Sequence, residues 1–122
     1  MSLILVAEDD DDVRDYLVCR LQRLEHEVIS TGDGGAALEA LRSRRPDLVV
    51  SDWVMPGMTG VELCAAIRAT PGMENLPVLI VTARAGERDR AEALAAGASD
   101  VITKPFVPLE LASRVAELLA AV

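Results

Sequence analysis

The chain has 122 residues and a formal net charge of -8, from 12 basic and 20 acidic residues. That length suits one domain with one core, and the negative charge repels phosphate backbones and anionic headgroups, which argues against nucleic acid or a membrane as a direct partner. Hydrophobic residues make up 51% and aromatics only 2%, so the core has to be built from Leu, Val, Ile and Ala.

The first apolar run, Leu3 to Ala7, stops on five consecutive acids, Glu8 to Asp12. From about Asp11 the spacing of Val13, Leu17, Leu21 and Leu24 predicts a helix, and acids at its start suit the positive end of the helix dipole. Val28 to Thr31 is a half-polar strand of the kind found near sheet edges, followed by a Gly32-Asp33-Gly34-Gly35 loop and a helix from Ala36 to Arg45 that turns Ala37, Leu38 and Leu41 inward. Pro46 ends that helix. Leu48-Val49-Val50-Ser51-Asp52 then reads as a strand buried on both faces, with Asp52 at its carboxyl end and a break at Pro56-Gly57.

A helix through Val61, Leu63, Cys64 and Ile67 follows, ending before Pro71-Gly72. Pro77 to Val81 is the fourth strand, tipped by Thr82-Ala83. Ala85-Gly86 punctuates, Glu87 to Ala96 forms a charged helix, and Gly97 suits its C′ position. Asp100 to Thr103 is the fifth strand and ends in Lys104-Pro105-Phe106. Pro108 opens a last helix carrying Leu109, Leu111, Val115, Leu118 and Leu119, which runs to the Ala120-Ala121-Val122 tail. Strict strand-helix alternation with right-handed crossovers predicts an α/β fold, a doubly wound five-stranded parallel sheet. The order 2-1-3-4-5, flavodoxin-like, is carried over by analogy with known sheets of this class.

In that order strands one and three are neighbours, so Glu8, Asp9 and Asp52 converge. Crowded carboxylates disfavour full ionisation, and a hard cation such as Mg²⁺, which takes oxygen ligands and keeps several waters, resolves the conflict. A carbonyl near Val54 could add a further oxygen. The plainer alternative is an acidic helix cap beside an unrelated Asp. Thr82 and Lys104 lie on the same rim. A hydroxyl and an ammonium beside a metal-bound carboxylate are what a phosphoryl group needs, with Asp52 as nucleophile. Taken singly, Thr82 is an ordinary turn residue and Lys104 an ordinary surface lysine.

Together these motifs resemble the receiver domain of two-component response regulators, with the single-domain chemotaxis type as the nearest look. The resemblance spans essentially the whole chain: Glu8-Asp9 after strand one, Ser51 to Gly57 around Asp52, Thr82-Ala83, and Lys104-Pro105-Phe106. It implies a phosphorylation-dependent switch in a phosphorelay, in which Asp52 accepts phosphate from a histidine kinase or histidine phosphotransfer protein. By the same resemblance Asp9 and Asp52 bind Mg²⁺ directly, Glu8 acts through water and the Val54 carbonyl completes the set. Thr82 and Lys104 contact the phosphoryl oxygens, and the Lys104-Pro105 bond is cis. The domain would catalyse its own phosphorylation and dephosphorylation without being a conventional enzyme, and would signal to an effector domain or protein. Asp10, Asp11 and Asp12 match no ligand position and stay as capping and surface charge.

One departure stands out. Val101 occupies the place where the family often carries Tyr or Phe, so a muted conformational response is expected. Arg84 and Val54, flanking the phosphoryl site, are candidates for setting the lifetime of the acyl phosphate. Arg90, Asp100 and Arg114 could pair between subunits, giving a monomer or weak dimer. Trp53 is expected as a partly exposed loop aromatic.

Other readings fit less well. A dehalogenase-like phosphatase needs an acid two positions after its nucleophile, where Val54 stands. An FMN binder needs a phosphate loop where the five acids lie. A degenerate receiver acting only as a binding module would have no use for a complete acid, Thr and Lys set. Cys19 and Cys64, far apart and without metal-ligand spacing, read as free thiols in a reducing cytoplasm. No leader or apolar run of membrane length is evident. Residues 1–122 are expected to form a single domain, as a whole protein or part of a longer one.

Overall fold

The structure is a computed structural model and describes residues 2–84 and 86–120; the expected punctuation at Ala85 and the tail Ala121-Val122 lie outside them. Among the described residues the strands are β1 Leu3–Ala7, β2 Glu27–Thr31, β3 Leu48–Asp52, β4 Val78–Thr82 and β5 Asp100–Thr103. The helices are α1 Asp11–Arg23, α2 Gly34–Ser43, α3 Gly60–Arg68, α4 Glu87–Ala95 and α5 Pro108–Ala120. All strand pairs are parallel and the order is β2-β1-β3-β4-β5, as expected.

Why the central strands read as unbroken apolar runs is visible in the packing. Successive strand side chains point to opposite faces, and both faces are covered by helices. Leu5, Val49 and Ile80 pack with Leu63 and Ile67 of α3, while Ile4, Val6, Val50 and Leu79 pack with Leu17 and Leu21 of α1 and Leu111 and Val115 of α5. The strand β2 pairs only with β1, and its half-polar sequence matches that edge position.

Element boundaries differ from the sequence reading where caps decide them. Gly34 and Gly35 belong to the first turn of α2, because the Asp33 carboxylate accepts from the Ala36 N–H at 2.7 Å and starts the helix early. Thr82 is the last residue of β4 rather than the first after it. Leu24 and Leu109 are exposed: the first is the C-cap of α1, and the second lies in the first turn of α5 facing away from the sheet. Gly97 does take the left-handed conformation expected of a C′ residue, with φ 113°. Arg90 and Arg114, expected as candidates for pairing between subunits, both pair with Asp100 inside the chain.

One packing contact sets the end of β3. A Cβ on Gly60 would lie 2.1 Å from the carbonyl oxygen of Asp52, and the Gly60 N–H donates to the Trp53 carbonyl at 2.8 Å. The start of α3 therefore holds the tip of β3 by backbone approach, which only glycine allows. Gly60→Ala should lower stability by about 2 kcal/mol or more, the scale of overpacking against atoms that cannot yield. Urea denaturation checks this.

Candidate functional site

The carboxyl ends of β1, β3, β4 and β5 form one rim, and each contributes a polar side chain there. Glu8 and Asp9 follow β1, Asp52 ends β3, Thr82 ends β4 and Lys104 follows β5. One carboxylate oxygen from each of Glu8, Asp9 and Asp52 lies within 4.8 Å of the others. Lys104 Nζ stands 3.1 Å from Glu8 Oε1 and 3.6 Å from Asp52 Oδ1. Thr82 is reached through the β4–β5 ladder: it pairs with Thr103, and the next residue's N–H, that of Lys104, donates to the Thr82 carbonyl at 2.7 Å. The five candidate side chains of the sequence reading thus share one rim. Val54, whose carbonyl was the sixth candidate, sits two residues beyond Asp52 and is 59% exposed.

Glu8 is the unusual member. Its residue is 1% exposed, and burial raises its pKa to about 7. Hydrogen bonding from the Asp10 N–H and from Lys104 works against that rise, and the negative charge of Asp52 adds to it. A buried carboxylate needs a compensating cation or proton. Lys104 supplies one positive charge for three carboxylates. All the converging donors are oxygens, one of them desolvated, which is the donor set of a hard divalent cation rather than of zinc or copper. The residues present fit Mg²⁺.

Local structure aims these groups. The Asp10 carboxylate caps α1 by accepting from the Asp12 and Val13 N–H groups, and its own N–H donates to Glu8 Oε2 at 3.2 Å. Arg14 donates to the Glu8 carbonyl at 2.9 Å, tying the loop after β1 to α1. The Trp53 N–H donates to Asp52 Oδ1 at 2.8 Å. Among the described residues no donor reaches Asp52 Oδ2. The Lys104-Pro105 peptide is cis.

Trp53 corrects an expectation. It is 3% exposed rather than partly open, because its ring packs in the core and is covered from outside by the Arg84 guanidinium, 4.8 Å from the ring centroid. Arg84, a candidate for setting the lifetime of the acyl phosphate, has as its side-chain partners among the described residues the Trp53 ring and Asp89 at 3.5 Å. The signal for this pairing was present in the sequence. Trp53 follows β3 and Arg84 follows β4, and those strands are neighbours. Arg14 and Asp10 carried no such signal as supports of Glu8.

A family model described as the response regulator receiver domain matches residues 4–116. The phosphate regulon transcriptional regulatory protein PhoB of Rhizobium meliloti (strain 1021) is 40% identical over 116 residues, covering 95% of this chain and 51% of that protein. The chain spans about half the length of the curated relatives it matches. The signal receiver domain of a signal transduction histidine kinase from Syntrophus aciditrophicus superposes with a TM-score of 0.93 at 34% identity, covering 100% of this chain and 92% of that one. The receiver domain of the sensor histidine kinase PA1611 from Pseudomonas aeruginosa PAO1, solved with a magnesium ion coordinated in its active site cleft, gives 0.90 at 28% identity, with 98% of each chain covered. With the family model covering most of its length and relatives this similar, the chain belongs to the response regulator receiver domain family.

Proposed function

We propose that this domain is a phosphorylation-dependent signalling switch in which Asp52 accepts a phosphoryl group from a histidine kinase or histidine phosphotransfer protein. The observation that carries the reading is the meeting of the Glu8, Asp9 and Asp52 oxygens within 4.8 Å, with Lys104 Nζ 3.6 Å from Asp52. Glu8, Asp9, Asp52 and the Val54 carbonyl would hold Mg²⁺, with Glu8 acting through water. When bound, the ion supplies neutralising charge for the carboxylates and the phosphoryl oxygens. An Asp52 oxygen attacks phosphorus, the bond to the donor nitrogen breaks and the donor imidazole leaves. Lys104 offsets charge on the transferred group, and the Thr82 hydroxyl donates to it.

An open apolar groove beside Lys104, lined by Val13, Tyr16, Pro105 and Phe106, offers a donor protein a face next to the acceptor. The domain promotes its own phosphorylation and dephosphorylation and is not a conventional enzyme. The apolar side chain of Val54 provides no group to orient a hydrolytic water, which favours a long-lived acyl phosphate. Residues 1–122 act as one receiver domain, a monomer or weak dimer in the cytoplasm, and its output is carried by an effector domain or protein. Among the described residues no helix is long and apolar enough to cross a membrane.

Incubation with acetyl phosphate and Mg²⁺ should give a phosphoryl adduct by intact mass, and Asp52→Asn should give none. Lys104→Met should slow adduct formation by about 10²-fold, the scale of removing one preorganised charge from a reacting centre. A wild-type chain that stays unmodified would favour a phosphorylation-independent binding module.

The raised pKa of Glu8 gives a pH dependence with a definite sign. Its proton is bound below about pH 7 in the metal-free fold and must leave as the cation enters, so Mg²⁺ binding strengthens as pH rises toward that value. Titration followed by Trp53 fluorescence should show apparent affinity rising by about tenfold per pH unit below the Glu8 pKa and levelling above it. Glu8→Gln, neutral throughout, should bind more weakly and with a flatter profile.

A further inference from the structure

Four contacts link the acceptor carboxylate to the start of α4. The Trp53 N–H holds Asp52 Oδ1 at 2.8 Å. The Trp53 ring is covered by Arg84, 4.8 Å away. The Arg84 backbone N–H donates to Thr82 Oγ1 at 3.1 Å, and the Arg84 guanidinium pairs with Asp89, in the first turn of α4, at 3.5 Å. Thr82 Oγ1 is thus engaged by the residue that covers Trp53, and Trp53 is bonded to the residue that would carry phosphate.

Apart from Arg90, which pairs with Asp100 and donates to the Val101 carbonyl, both at 3.1 Å, the start of α4 has little else to hold it. Its N-cap, Gly86, makes no side-chain capping bond, and Ala93 is its buried residue. At position 101, where a large aromatic would give β5 a side chain able to change rotamer, the structure has a buried Val. Val has one side-chain torsion, and β-branching makes it stiff.

We propose that Arg84 is a latch. It closes over Trp53 in the unphosphorylated domain and is released when Thr82 turns toward a phosphoryl group on Asp52, so that Trp53 and the first turn of α4 carry the readout in place of an aromatic side chain at position 101. This rests on the phosphoacceptor reading above. The Thr82 hydroxyl accepts from the Arg84 N–H and would donate to a phosphoryl oxygen, and turning Oγ1 toward Asp52 to do so carries the acceptor away from Arg84. The guanidinium then loses its backbone anchor and leaves the ring. A cation–π pair at a half-exposed site biases the closed form by roughly two- to five-fold, so release of the anchor is enough to shift the population. The response is local, centred on Trp53 and Asp89, and leaves β5 in place.

Trp53 is the only tryptophan in the chain, so acrylamide quenching of its fluorescence reads the latch directly. With Mg²⁺ held constant, beryllofluoride, a tetrahedral phosphoryl mimic, should raise the wild-type quenching constant by roughly twofold or more, in keeping with a bias of that size. Arg84→Ala should show the raised value without the mimic, and Arg84→Lys, which keeps the cation, should restore part of the protection. Bound beryllofluoride is measured separately by fluorine resonance. If the mimic binds and wild-type quenching does not change, the latch is wrong while the phosphoacceptor reading survives. If no mimic binds, both fall. Equal quenching of Arg84→Ala and wild type in the free state also overturns the latch, independently of any phosphoryl chemistry.

Discussion

A carboxylate buried at the end of a parallel sheet, with a second carboxylate beside it, is stable only if positive charge is held close. Glu8 and Asp52 are in that position, and Lys104 is placed between them at 3.1 and 3.6 Å. The rest of the molecule reads as the means of keeping these three groups together. The parallel register brings the ends of β1 and β3 side by side. The β4–β5 ladder carries Lys104 to the same rim. Gly60 lets α3 approach the Asp52 carbonyl closely enough to fix the tip of β3. With three carboxylates facing one ammonium, negative side chains outnumber positive ones at the site, an excess that a divalent cation would offset.

Much of this was legible before any coordinates, and the reason is physical. Strands buried on both faces must be apolar throughout, so a polar residue ending such a run, as at Asp52 or Thr82, marks the rim. Alternation of strands and helices with one handedness leaves few topologies, and all of them put the carboxyl ends of the strands on one side. The chemistry at the rim then follows from residue type. The same logic accounts for the boundaries that shifted. Whether Gly34 is loop or helix depends on one bond from the Ala36 N–H to Asp33, and no periodicity records that.

What the sequence hid were the supports that depend on side-chain direction. Trp53 was read as a loop aromatic because it follows a strand end beside a Pro-Gly break, yet its ring turns back into the core, where Leu63 and Met55 also lie. The face of its indole is covered by a charge from the neighbouring strand end. Arg14, on α1, holds the Glu8 carbonyl, a contact that the apolar spacing of the helix does not indicate. Arg68, at the end of α3, donates to the carbonyls of Met73, Leu76 and Gly97, fastening the loop before β4 to the turn before β5. Long cationic side chains reach acceptors that spacing along the chain cannot identify.

The distribution of these ties decides where a signal can travel. Asp100 opens β5 and is bonded from both sides, by Arg90 of α4 at 3.1 Å and by Arg114 of α5. Burial raises its pKa, but hydrogen bonds from the Val101 N–H and from both arginines outweigh that and hold the carboxyl below its ordinary value. Arg90 also donates to the Val101 carbonyl at 3.1 Å. Any single exposed ion pair contributes little, yet here one half-buried carboxylate joins two helices to the same strand end, and Val101, buried and β-branched, fills the adjacent core position. This end of β5 is therefore a poor candidate for motion. Four residues before Arg90, α4 begins at an uncapped glycine, with Asp89 tied to Arg84 as its link to the acceptor side. The first turn of α4 thus has two ties that differ in kind: Arg90 fixes it to the end of β5, and the more exposed Arg84–Asp89 pair joins it to the loop beside the acceptor side of the sheet.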